Sequence, residues 1–127
     1  MNTHVSAHMS TQDIADDLVA LCKAGKFDEA GEKYWSDDVR SIEAAGDAVE
    51  SRGKAAARGK GEWWANAHIV HAVDVAGPYV NGDQFAVRFT IDQTVKETGQ
   101  RMTMDEVGLY TLKDGKIAEE RFFYDFS

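Results

Sequence analysis

The sequence predicts an α+β domain, a cone-shaped roll in which N-terminal helices pack in the concave face of a strongly curved antiparallel sheet. Three observations carry that expectation. Apolar residues recur at helical spacing in the first half of the chain and at period two in the second. The two final β-type runs are joined by Lys113-Asp114-Gly115-Lys116, where Gly accepts the positive φ of a tight hairpin turn. Helices followed by a meander form a two-layer order, in which a twisted sheet curls over the helices that cover it.

Taken in order, Ser10-Thr11-Gln12-Asp13 offers a cap and a carboxylate three residues on, and Ile14, Leu18, Leu21 and Cys22 then follow at helical spacing. Gly25 ends this first helix. Phe27, Ala30, Gly31 and Tyr34 form the inner stripe of a short second one, closed by Trp35-Ser36-Asp37-Asp38. A strand over 39–45 places Val39, Ser41 and Glu43 on one face and Arg40, Ile42 and Ala44 on the other. A third helix spans 53–67, with Ala56, Gly59 and Trp63 expected to share a face. Four antiparallel strands follow over 68–76, 84–95, 101–112 and 117–126, each connection holding a Gly where a turn needs one. Apolar side chains fall on both sheet faces: Phe122 and Tyr124, for example, lie opposite Phe123. A sheet apolar on both sides needs a second cover, which a homodimer supplies.

Composition narrows the functional classes. A chain of 127 residues holds one core, so 10–127 is expected to be a single domain preceded by a flexible leader over 1–9. Fourteen basic against 22 acidic residues give a formal charge of −8, which repels nucleic acid and anionic lipid. No apolar run approaches the roughly 18 residues of a membrane span. The start of the chain lacks the pattern of a secretory signal, and Cys22 stands alone; a reducing, cytoplasmic setting is the simpler expectation.

The order of helix, helix, Tyr34-Trp35-Ser36-Asp37-Asp38-Val39, strand, Gly53-Lys54-Ala55-Ala56 helix and a meander ending in Leu112-Lys113-Asp114-Gly115-Lys116-Ile117-Ala118-Glu119-Glu120-Arg121-Phe122-Phe123-Tyr124-Asp125 resembles the SnoaL-like branch of the nuclear transport factor two-like superfamily. The resemblance covers about residues 10 to 126. It implies a cone-shaped fold, usually dimeric through the outer sheet face, with an apolar pocket inside. Ketosteroid isomerase, polyketide cyclases, dehydratases and non-catalytic binding modules share that fold, so function must be argued from the site.

Carried over residue by residue, the resemblance matches the isomerase's general base to Glu43. Its two oxyanion donors fall at Leu18 and Gly108, which cannot donate a hydrogen bond, and the acid/base Asp of the cyclases falls at Phe122. Strand parity then expects Met104, Glu106, Tyr110 and Leu112 to face the cavity with Gly108, and Asp105, Val107 and Leu109 to point outward. In the cyclase register Glu120, Phe122 and Tyr124 also face inward. Glu43 and Glu106 are thus the candidate catalytic pair, and Tyr34, Trp35, Trp63, Met104, Tyr110, Phe122 and Tyr124 the candidate ligand-binding residues.

An apolar pocket raises a carboxyl's pKa, and a neighbouring carboxylate raises it further, which suits one Glu as acid and the other as base. The sequence therefore points to a small, largely apolar organic ligand and to cofactor-free isomerase, cyclase or dehydratase chemistry. The alternative is a non-catalytic ligand-binding or dimerisation module, with both glutamates spent on Arg88, Arg101 or Arg121. His68 and His71 stand on opposite faces of one strand and do not make a metal pair; no metal or cofactor is expected. Arg52, Lys54, Arg58 and Lys60 read as a solvated helix face.

Overall fold

A computed structural model describes residues 9–44 and 49–125. The expected leader lies outside the described residues apart from Met9. Helices α1 (Thr11–Lys23) and α2 (Phe27–Tyr34) lead into β1 (Trp35–Ile42) and β2 (Glu50–Arg52). Helix α3 (Lys54–Ala67) then precedes β3 (His68–Asn81), β4 (Gln84–Val95), β5 (Arg101–Lys113) and β6 (Lys116–Tyr124). The strands form one curved, unclosed sheet in the order β2-β1-β6-β5-β4-β3. β1 runs parallel to β6, and every other pairing is antiparallel.

The local signals act as their chemistry dictates. The Ser10 hydroxyl accepts from Asp13 N at 3.0 Å while Ser10 N donates to the Asp13 carboxylate at 3.2 Å, closing a capping box that satisfies two donors at the start of α1. Asp114 (φ 54°) and Gly115 (φ 77°) take the left-handed conformations of the β5–β6 hairpin. The apolar face of α1 (Ile14, Ala15, Leu18, Val19 and Cys22) forms one buried cluster with the inner row of β4, namely Phe85, Val87, Phe89 and Ile91. Phe85 stacks on Tyr110 with centroids 5.0 Å apart, linking β4 to β5 inside the cone.

Four boundaries differ from expectation. β1 begins at Trp35, because the indole turns back onto α2: a Cβ at Gly31 would stand 2.5 Å from its ring. β2 was not anticipated; its three residues pair with β1 through Arg40, Ser41 and Ile42. The segment expected to be a loop after Ala76 is strand as far as Asn81, the Gly77-Pro78 step being absorbed as an irregularity between Ala76 and Tyr79. The inner face of α3 is also shifted by one residue. Ala57 is buried, with Lys60, Gly61 and Trp64 half-buried on its side, whereas Ala56, Gly59 and Trp63 are exposed. The helix has so few large apolar residues that both faces read alike in sequence; packing on α2 and β1 selects one.

Candidate functional site

Three strands bring a glutamate each toward the interior. On β1 the alternation Val39, Ser41 continues to Glu43, just beyond the strand, whose N–H is held by Val49 O at 2.7 Å. On β5 Glu106 lies across from Phe89 and Tyr124, and on β6 Glu120 lies across from Ser41 and Tyr110. Met104, Glu106, Gly108, Tyr110 and Leu112 follow the expected parity, while Asp105 on the opposite face pairs with Arg88 at 2.5 Å. Asp125 is exposed.

A hydrogen-bonded chain links two of these acids. Tyr124 donates to Glu43 Oε1 at 3.0 Å, and the Lys60 ammonium bonds both Glu43 Oε2 and Ser41 Oγ. Ser41 donates in turn to Glu120 Oε2 at 2.6 Å, and Trp35 Nε1 donates to Glu120 Oε1 at 2.9 Å. Lys60 also stands over the Phe122 ring, 5.2 Å from its centroid, so the cation is held by carboxylate and π-face together. Among the described residues no side chain pairs with or hydrogen-bonds to Glu106.

Electrostatics separate the acids. Burial pushes Glu106 up to about 7, with the Glu43 charge raising it further and Lys60 opposing. Burial also raises Glu120, against hydrogen bonds from Ser41 and Trp35 that favour its charged form. The Tyr124 phenol is pushed up to about 12 by burial and by Glu43, and Tyr110 is raised well above its ordinary value by burial. Both remain donors at neutral pH. Cys22, pushed up to about 12 by burial, is a core thiol without thiolate character.

The arginines that stood as structural partners for the acids go elsewhere: Arg88 to Asp105, Arg101 to Asp92, and Arg121 to Glu119. Lys60 is the cation that meets Glu43, so the solvated-face reading of its cluster is corrected at this residue. It holds for Arg52, Lys54 and Arg58, which pair with Glu50 and Glu32 near the surface. Lys60 lies three residues after Ala57 and four before Trp64, on the one helical stripe that packing turns inward. Ser41 was legible from its parity with Glu43.

The aromatic candidates divide. Phe122 and Tyr110 meet edge to face at 6.3 Å, and Met104 packs against the core cluster. Trp35 turns its N–H to Glu120. Tyr34 is buried, but its hydroxyl goes to Asp17, tying α2 to α1. Trp63 is corrected: at 67% exposure it faces away from the interior, and its neighbour Trp64 is the one inside, stacked on His68 at 4.4 Å. A Cβ at Gly108 would stand 3.1 Å from the Tyr110 hydroxyl and 3.2 Å from Phe122, so a phenol and a phenyl ring fill the space into which a longer side chain would grow. Among the surface clefts are two of about 620 and 300 Å³; the larger of these is bordered by Trp35, Arg40 and Lys116, and neither is lined by Glu43, Glu106 or Tyr124. Among the described residues no three His, Cys, Asp or Glu side chains are grouped to hold a metal ion, and no helix is long and apolar enough to cross a membrane.

Helices laid in a curved six-stranded sheet make an α+β fold of the ketosteroid isomerase-like kind. More particularly, the SnoaL-like domain family matches residues 9–124, and this chain belongs to it. A crystal structure from Mesorhizobium loti, provisionally named a SnoaL-like polyketide cyclase, is 56% identical over 91% of this chain and 100% of that one, with a TM-score of 0.88. Two more distant structures share the fold. A provisionally named isomerase from Bacillus subtilis is 17% identical, covering 92% of this chain and 90% of that one, with a TM-score of 0.76. A Catenulispora acidiphila protein with a ketosteroid isomerase-like fold, crystallised with trimethylamine, is 16% identical over 93% of this chain and 89% of that one, with a TM-score of 0.73. Among curated proteins none matches.

Proposed function

We propose that this single-domain chain binds a small, largely apolar carbonyl compound inside the cone and moves a proton at the carbon next to the carbonyl. The observation that carries the reading is the pairing of an interior carboxyl, Glu106, raised to about 7 and without a hydrogen-bond or ion-pair partner among the described residues, with Glu43 held by the Lys60 ammonium. Glu43 takes the proton as the C–H bond breaks, and protonated Glu106 gives its own to the carbonyl oxygen, leaving an enol. Reversal returns a proton to carbon, so isomerisation and elimination are both within reach, and the step needs no cofactor. Met104, Phe122 and Tyr110 supply the apolar wall.

The test is exchange of the α-protons of 4-phenylcyclohexanone in D2O, followed by NMR. Wild type accelerates exchange, and Glu43→Gln or Glu106→Gln lowers the enzymatic rate by about a hundredfold, the range of a lost general acid or base. No acceleration by wild type sinks the catalytic reading and leaves a binding module.

The outer face supports a homodimer. Phe123 is 50% and Tyr79 64% exposed there, beside half-buried Val107 and Leu109. Phe123→Glu shifts the sedimentation coefficient from dimer to monomer; a wild type that already sediments as a monomer rules the dimer out.

A further inference from the structure

Gln93 follows Phe85, Val87, Phe89 and Ile91 in the inner row of β4, one step before the half-buried Val95 that ends it. It is only 3% exposed, and its Oε1 is fully buried without a hydrogen bond from any described residue. A buried amide oxygen left unmet forfeits its hydration, and native proteins rarely leave one so without a use. A Leu or Met would have continued the row at no such cost. In the ladders Gln93 sits between Val70 on β3 and Met102 on β5. It is four residues along β4 from Phe89, the residue opposite Glu106, which is about 14 Å at the rise of an extended strand. The Ile91–Met104 pair, apolar and buried or half-buried, lies between them. The inner face therefore has acids at one place, an apolar stretch, and one orphaned acceptor farther along.

We propose that Gln93 is a specificity-determining residue, its carbonyl accepting a hydrogen bond from a hydroxyl or N–H at the end of the ligand remote from Glu43 and Glu106. The ligand class is then an elongated, mainly apolar carbonyl compound carrying a donor at its far end, rather than a plain hydrocarbon ketone. This rests on the reading of the interior as a ligand site. A site built around an acceptor discriminates against the analogue that lacks the donor, because that analogue leaves the acceptor buried and unmet.

The experiment compares 4-(4-hydroxyphenyl)cyclohexanone with 4-phenylcyclohexanone, a pair differing by one hydroxyl remote from the ketone. Binding is measured by calorimetry, and α-proton exchange by NMR, on wild type, Gln93→Met and Gln93→Leu. Wild type binds the hydroxylated ketone at least about tenfold more tightly. Both variants bind the two ketones alike and unfold at the same or a higher temperature. Equal binding by wild type, a preference that survives in the variants, binding of neither ketone, or a fall in melting temperature in both variants overturns the proposal. The last outcome would mean that the amide already has a partner in the folded protein. A Gln93-dependent preference without exchange removes the catalytic reading and leaves this one standing; exchange without preference does the reverse.

Discussion

Glu106→Gln raises the stability of the protein at pH 8 by about 2 kcal/mol and flattens its fall between pH 5 and 8. The sign follows from proton counts. Glu106 moves from 4.5 to about 7 on folding, so between those values the folded state binds more protons than the unfolded one, and stability declines as pH rises. At 1.36 kcal/mol per unit the full shift is worth about 3 kcal/mol; part of it is lost because the side chain is only half-buried. Glu120, raised by burial, contributes with the same sign, so some slope persists in the variant. Asp17, Glu32, Glu50, Asp92 and Asp105 act in the opposite window. Their hydrogen bonds to Lys33 or to arginines lower their folded pKa values, and the stability they add is lost as pH falls below about 4. Urea unfolding at about pH 3, 5 and 8 measures both limbs; an unchanged slope between pH 5 and 8 in Glu106→Gln would show that this carboxyl does not titrate in the native range.

Lys60→Met lowers stability at pH 8 by about 2–3 kcal/mol, and adding Glu43→Gln restores most of the loss. Removing the ammonium leaves Glu43 uncompensated and deprives Ser41 of a donor, while Glu106 and Glu120 lose the cation that opposes their repulsion. Breaking one side of a buried pair costs about 3–5 kcal/mol, and the low end applies because the two side chains are 30% and 23% exposed. Methionine keeps the length of the side chain over Phe122, so packing changes little. A double-mutant cycle gives the coupling directly: a value above about 1 kcal/mol is expected, and additivity within about 0.3–0.5 kcal/mol would mean that the two residues do not interact.

These two variants also mark where sequence reading succeeds and where it stops. Glu106 was legible because strand parity is strict: once Gly108 is set inward, every second residue of β5 follows, and only a bulge would break the rule. Glu43 and Ser41 were legible by the same alternation. Lys60 was not, because a helix of Ala, Gly and paired Trp shows no dominant apolar face, and a one-residue rotation exchanges Lys60 for Gly59 and Trp64 for Trp63. Gln93 could be placed on an inner face by alternation, but nothing in a linear pattern says that its carbonyl is without a donor. The start of β1 is not legible because Trp35 falls with the helix pair by pattern, while its ring docks on Gly31 and its backbone is already extended.

The sequence by itself determined the order of helices and strands, the capping box at Ser10, the Asp114-Gly115 hairpin and which residues of each strand share a face; which face turns inward came from the family resemblance. The sequence-determined features follow from local φ/ψ preference and from periodicity within a single element. Tertiary structure alone decided which cation meets Glu43, that Glu106 has no hydrogen-bond or ion-pair partner among the described residues, that β1 lies parallel to β6 and that Tyr34 spends its hydroxyl on Asp17. Those outcomes depend on distances between elements far apart in the chain, where burial and competition among several possible partners, rather than the preference of any one residue, set the result.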